Sequence, residues 1–166
     1  MNINWSILVP GPGDIAIPTY GNYGGPGYSN GEVLAFPDQS VDYTAPPVDA
    51  LDDLFRTHDM VYDSPDRQVR AEGDLALIQG LEALSQNPLP PEQSLYGGAA
   101  ILAGIRQMAV VNAHPELLSQ PELFAALGTA AEDIQAGLSH LEPADAAGLA
   151  SWLQQVSDLP LTDILF

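Results

Sequence analysis

VDALDDLFRTHDMVY, Val48–Tyr62, decides how this chain is read. Leu51, Leu54, Phe55, His58 and Tyr62 recur at the spacing of one helical face, which predicts a helix running to about Asp63. Pro46 and Pro47 bar a preceding helix and suit a first turn, while Asp49 favours the positive end of the helix dipole. His58 and Asp59 are adjacent in that helix, so a base and an anionic ligand leave one turn together. Upstream, YGNYGGPG (Tyr20–Gly27) is a glycine-dense loop whose backbone carbonyls can fold around a hard cation. Together the two segments suggest calcium-assisted hydrolysis.

Ser64 and Pro65 read as the cap and first residue of a second helix through about Leu84, with Ala71, Ile78 and Leu81 on its apolar side. So short a link implies an antiparallel hairpin. Asp74 stands four and seven residues before Ile78 and Leu81, hence on that apolar side, where an unpaired carboxylate is costly. Antiparallel pairing sets Asp74 at about the depth of His58, so that an imidazole N–H can satisfy it and fix the tautomer. Asp66 is the rival partner, but the dipole already explains an acidic residue at a helix start.

A YGxYxGxG loop followed by D-x-x-x-x-x-HD-x-x-Y resembles the secreted phospholipase A2 superfamily over about Tyr20–Leu84. The resemblance implies that three loop carbonyls and the aspartate after the histidine hold Ca2+, here Tyr23, Gly25, Gly27 and Asp59. It also implies that His58 is the general base, removing a proton from the water that attacks the sn-2 ester carbonyl. Asp74 matches the family's second aspartate, Tyr62 braces the pair, and the Gly25 N–H donates to the oxyanion. The chemistry of the residues agrees: calcium takes about six to eight oxygen ligands, and imidazole, with a reference pKa of about 6.5, accepts a proton near neutrality. Taken alone, the loop is an ordinary glycine-rich turn, His58 a hydrogen-bonded core histidine and Tyr62 an aromatic packing group.

The chain departs from the family in several places. Gly24 stands where a loop cysteine is common, Tyr28 replaces a usual glycine, Pro26 stiffens the loop, and the hairpin between the two long helices is missing. These changes place it nearer cysteine-free bacterial or viral branches. The alternative function is a catalytically inactive phospholipase A2-like module that keeps calcium or lipid affinity. A His-Asp metal phosphohydrolase would want a histidine upstream of the pair, yet His114 and His140 lie downstream. A purely structural calcium protein would want more acidic side chains within the loop.

With 166 residues, 46% of them hydrophobic, the chain can bury a core without staples, and it has no cysteine to form any. The 22 acidic residues face four arginines and no lysine, a formal net charge of −18, which excludes a nucleic-acid partner. Anionic membranes would repel such a surface over about 8 Å at physiological salt, so the expected partner is a neutral, zwitterionic phospholipid membrane or micelle interface. Acidity that only confers solubility or salt tolerance explains the charge equally well. MNINWSILVPGPG lacks a basic start and is stopped by Pro10, so no signal peptide is visible, although the resemblance implies secretion or delivery outside the producing cell. Leu95–Val111 is short of a spanning length and carries Arg106, which predicts no transmembrane segment.

Met1–Pro47 reads as mostly loop with a short strand or turn of helix at most, and NPLPP (Asn87–Pro91) as a boundary. Beyond it, helices are expected over about Gln93–Ala113, Pro121–His140 and Pro143–Val156. The expected architecture is all-α: a catalytic core over residues 1–91 and a helical cap over 92–166 that buries Leu95, Ile101, Ile105, Phe124, Leu127, Leu149, Trp152 and Leu153.

Overall fold

The computed structural model describes residues 2–11, 15–35 and 41–157. In chain order its elements are β1 (Ile3–Pro10), β2 (Ala16–Tyr20), β3 (Tyr28–Ser29), β4 (Glu32–Val33), α1 (Ala50–Tyr62), α2 (Arg67–Leu84), α3 (Pro91–Arg106), α4 (Gln120–His140) and α5 (Pro143–Ser157). A π-helical turn, Gln107–Val111, continues α3, and a 3-10 turn, Pro115–Leu117, precedes α4.

The expected all-α, phospholipase A2-like class is corrected by the amino-terminal region. There β1 pairs with β2, and β3 with β4, as two antiparallel two-stranded sheets. The first hairpin is irregular: its register slips between Asn4 and Leu8, and the Asn4 side-chain oxygen accepts the N–H groups of Ser6 and Ile7 across the slip. Prolines within a two-stranded pair are tolerated because each strand has a free edge. Two indoles from distant parts of the chain then tie α5 to this hairpin. Trp5 donates to Asp145 at 2.9 Å, and Trp152 donates to the Ala16 carbonyl at 2.5 Å.

α1 is capped by Asp49, whose carboxylate accepts the Asp52 N–H, so Pro46 and Pro47 lie before the helix and not in its first turn. Asp66 caps α2 by accepting the Gln68 N–H, and α2 starts two residues later than Pro65. The carboxylate is the better cap, and the Ser64 hydroxyl accepts the Asp66 N–H instead. α1 and α2 run antiparallel, with Val61 packed on Gly73, His58 on Asp74 and Leu54 on Gly80. A methyl group at Gly73 or Gly80 would stand 2.7 Å from the Val61 or Leu54 side chain, so these glycines set how closely the helices approach.

α3 and α4 are just as close. A Cβ at Gly98 would lie 2.7 Å from the Ala130 carbonyl, and one at Gly137 would lie 2.6 Å from the Leu95 backbone nitrogen. Ala126 and Ala130 are buried on this small-residue face. Phe124, Leu127 and Leu153 are exposed, contrary to the expected cap packing, because close approach favours small side chains and turns the larger ones of α4 outward. Ile101 is fully buried, and Leu95, Ile105, Leu149 and Trp152 are half-buried. Residues 158–166 of the expected cap lie outside the described residues. One core joins Tyr20, Tyr23, Leu51, Phe55, Ile78 and Leu81 to Ile101, Met108 and Ala130, so packing crosses the NPLPP break. Counted through the π turn, Pro91–Val111 is long and apolar enough to span a membrane, and about a third of it is buried here against neighbouring helices.

Candidate active site

The site lies between α1, α2 and the end of the π turn. Burial of Asp74 is complete, and its carboxylate collects three donors. Oδ1 accepts the Tyr62 hydroxyl at 2.7 Å and stands 2.8 Å from His58 Nε2; Oδ2 accepts the Asn112 amide at 2.7 Å. Since the carboxylate is an acceptor, Nε2 carries the proton and Nδ1 keeps its lone pair. The His58 side chain is 18% exposed, and its Nδ1 has no hydrogen-bond partner among the described residues. The His58 and Tyr62 rings are 4.5 Å apart between centroids, one turn of helix. Burial, and then the bond to Asp74, push the Tyr62 hydroxyl well above the usual tyrosine range, so it stays a donor.

Asp59 is in the opposite condition. Its Oδ2 is buried and makes no well-formed hydrogen bond among the described residues, and the same is true of the Ser29 hydroxyl oxygen, which lies against the Asp59 carboxyl just beyond the glycine loop. Burial pushes the Asp59 carboxyl up to about 8; the Ser29 hydroxyl acts the other way, while the Asp52 and Asp63 charges add to the rise. A buried, orphaned carboxylate oxygen with a hydroxyl beside it is a donor set that a hard cation satisfies.

The loop itself is held in shape by Asp52, to which the sequence reading gave no role. Its buried carboxylate accepts the N–H groups of Asn22, Tyr23 and Val48 at 2.9 to 3.0 Å. Burial raises its pKa, and these backbone bonds oppose the rise. Gly21 has φ +53°, and any Cβ there would collide with that carboxylate, so the turn admits only glycine. Tyr96, from α3, donates to the Gly24 carbonyl at 3.0 Å and clamps the loop from its other side.

Of the expected ligands, the Gly25 and Gly27 carbonyls each accept a backbone N–H, from Tyr28 at 3.1 Å and Leu34 at 2.8 Å, leaving one lone pair on each. Tyr23 is buried, its hydroxyl donating to the Ala45 carbonyl and its ring stacked on Tyr43. The Gly25 N–H has no partner among the described residues. Gly25 has φ +141°, and a Cβ there would meet Thr19 at 3.2 Å, so its backbone stays bare. Among the described residues no cluster of three or more His, Cys, Asp or Glu side chains forms. A cation bound by Asp59 would therefore have to take backbone oxygens of the loop as further ligands.

Asp66 caps α2 and is no partner of His58; His114 pairs with Glu116. Three contributors were missed. Asp52 opens the D-x-x-x-x-x-HD pattern and shares a helical face with Asp59 seven residues on, a signal that was legible. Ser29 and Asn112 carried none, since their relevance depends on neighbours 30 and 38 residues away.

No family model, curated protein or solved structure matches this chain. The expected phospholipase A2-like core thus has no structural likeness behind it, and any functional reading stands on the residues of the site.

Proposed function

We propose that this protein is a calcium-dependent hydrolase of the phospholipase A2 type, cleaving the sn-2 acyl ester of glycerophospholipids with a water activated by His58. One observation carries the reading: a histidine held at Nε2 by a buried carboxylate, with Nδ1 unpartnered among the described residues, directly precedes an aspartate whose buried Oδ2 makes no well-formed hydrogen bond among them.

Asp74 accepts a hydrogen bond from Nε2–H, which keeps that proton on Nε2 and leaves the Nδ1 lone pair to take a proton from water. The water oxygen forms the new bond to the ester carbonyl carbon as that proton moves to Nδ1. When the ester C–O bond breaks, His58 returns the proton to the departing alkoxide oxygen, which restores the base and releases a fatty acid and a lysolipid. No serine nucleophile is needed. Asp59 would hold calcium together with carbonyls of Tyr23, Gly25 and Gly27, with the Ser29 hydroxyl beside it. Calcium, when bound, supplies polarisation of the ester carbonyl and neutralisation of the charge that develops on its oxygen. The unpartnered Gly25 N–H is suited to donate to the same oxygen. The net charge of −18 favours a zwitterionic over an anionic lipid surface.

The test is product analysis on a phosphatidylcholine labelled differently at its two acyl positions, with calcium and with a chelator. Release of the sn-2 acid alone, abolished by the chelator, is expected. Absence of hydrolysis with calcium, or hydrolysis indifferent to chelation, would overturn the proposal.

A further inference from the structure

Asn112 lies beyond the part of the chain that carries the motif, yet it is the most connected side chain around Asp74. It is 1% exposed, and its amide nitrogen donates both to Asp74 Oδ2 at 2.7 Å and to the Tyr62 hydroxyl oxygen at 2.9 Å. Its amide oxygen accepts from Arg70 Nε at 3.2 Å, and Arg70 is itself anchored by donating to the Ser64 carbonyl at 2.9 Å. An amide has one donor end and one acceptor end. With a guanidinium on one side and a carboxylate on the other, only one orientation of Asn112 satisfies both.

The backbone reinforces this placement. Asn112 follows the π turn, and its N–H closes back on the Gln107 carbonyl at 2.8 Å. Ala113 then takes φ +63°, a left-handed conformation that is unfavourable for a residue with a Cβ. Wide turns and strained residues recur where a side chain must be held at a site.

The consequence for His58 follows from the two carboxylate oxygens. Oδ1 is shared by His58 and Tyr62, whereas Asn112 is the one donor on Oδ2 among the described residues. Asn112 also gives the Tyr62 hydroxyl an incoming hydrogen bond, which fixes the direction in which that hydroxyl donates. Without Asn112, Oδ2 loses that donor and the carboxylate is held by His58 and Tyr62 through Oδ1 alone, so it and the His58 ring are less tightly oriented.

We infer that Asn112, oriented by Arg70, is the positioning residue that fixes the Asp74 carboxylate and, through it, the ring of His58; the inference rests on the base role proposed above. The carboxy-terminal helices thereby take part in the site and are more than a stabilising cover for it.

The test combines 15N NMR of the full chain with kinetics. In the wild type, the neutral His58 ring should show a single dominant tautomer with the proton on Nε2. In Asn112→Ala the tautomers should mix, and kcat on phosphatidylcholine should fall about 10- to 100-fold while KM stays within about twofold, as for other losses of orienting contacts. Arg70→Met removes a half-buried side chain and leaves Asn112 in place, so it tests the same orientation if Asn112→Ala fails to fold; a smaller change in the same direction is expected. An unchanged tautomer and unchanged kcat in folded Asn112→Ala, or in Arg70→Met where Asn112→Ala does not fold, would overturn the positioning role and leave the hydrolase reading intact. Tautomer mixing in the variants of a protein that hydrolyses no phospholipid would uphold the positioning and overturn the hydrolase reading.

Discussion

Asp74 bonds the ring of His58 and Asp59 follows that histidine in the chain, yet the two carboxylates are treated in opposite ways. Asp74 is sealed from water and receives His58, Tyr62 and Asn112, so every acceptor direction it needs is supplied by the chain. Asp59 is mostly enclosed too, yet its Oδ2 makes no well-formed hydrogen bond among the described residues, and burial raises its carboxyl to about 8. Natural interiors seldom leave a polar atom in that condition without a reason. The difference separates a carboxylate on α2 completed by folding from one on α1 that, in the reading proposed here, is left for a ligand.

The largest expected effect comes from the base that links them. His58→Gln should lower phospholipid hydrolysis about 10²- to 10⁴-fold with calcium affinity nearly unchanged, checked by initial rates alongside calorimetry. If turnover stays near that of the wild type, His58 does not activate water. Next is Asp59→Asn, which should weaken calcium binding by roughly 100-fold or more, since a charged oxygen ligand is lost. Unaltered calcium affinity in that variant would remove Asp59 from the metal site. Magnesium should substitute poorly, because it demands stricter octahedral geometry and sheds water reluctantly.

Stability should separate the two carboxylates again. Asp74→Ala takes the carboxylate acceptor from His58, Tyr62 and the buried Asn112 and is expected to cost about 3 kcal/mol by denaturant unfolding. Asp59→Asn, measured without calcium, should cost nothing or stabilise slightly, because a neutral amide replaces a group that burial disfavours when charged. Equal losses in the two variants would erase the distinction.

The smallest effect concerns pH. Folding raises the Asp59 carboxyl from the ordinary aspartate value of about 3.9 to about 8. Between those values the folded chain keeps a proton that the unfolded chain has lost, so the calcium-free protein should lose stability as pH rises from about 4 to about 8. Thermal unfolding across that range should show the decline, and Asp59→Asn should flatten it. Calcium should strengthen in affinity over the same range, because binding must displace that proton. A wild-type profile as flat as the variant's would mean that Asp59 is not held neutral by burial.

Much of the helical frame was legible in the chain because its signals are local. Prolines precede or open α1, α3, α4 and α5, an acidic cap starts α1, and apolar residues at helical spacing mark the inner faces of α1 and α2. The start of α2 was misread by two residues, since Ser64-Pro65 and Asp66 are competing caps and only geometry chooses between them. The outward position of Phe124 and Leu127 was not legible either, because hydrophobicity says nothing about how near two helices come.

By itself, then, the sequence determined where helices form, that His58 and Asp59 share a turn, and that Asp74 lies on an apolar face, all consequences of spacing within a few residues. Only the tertiary structure decided that the amino-terminal region pairs into strands, because its bulged, proline-containing hairpin is tied down by Trp5 and Trp152 through partners 140 and 136 residues distant. It alone brought Asn112 onto Asp74 from 38 residues away and left Asp59 Oδ2 buried without a well-formed hydrogen bond among the described residues. Satisfaction of a buried polar atom depends on every element that packs around it, and that is a property of the assembled interior, not of any local run of residues.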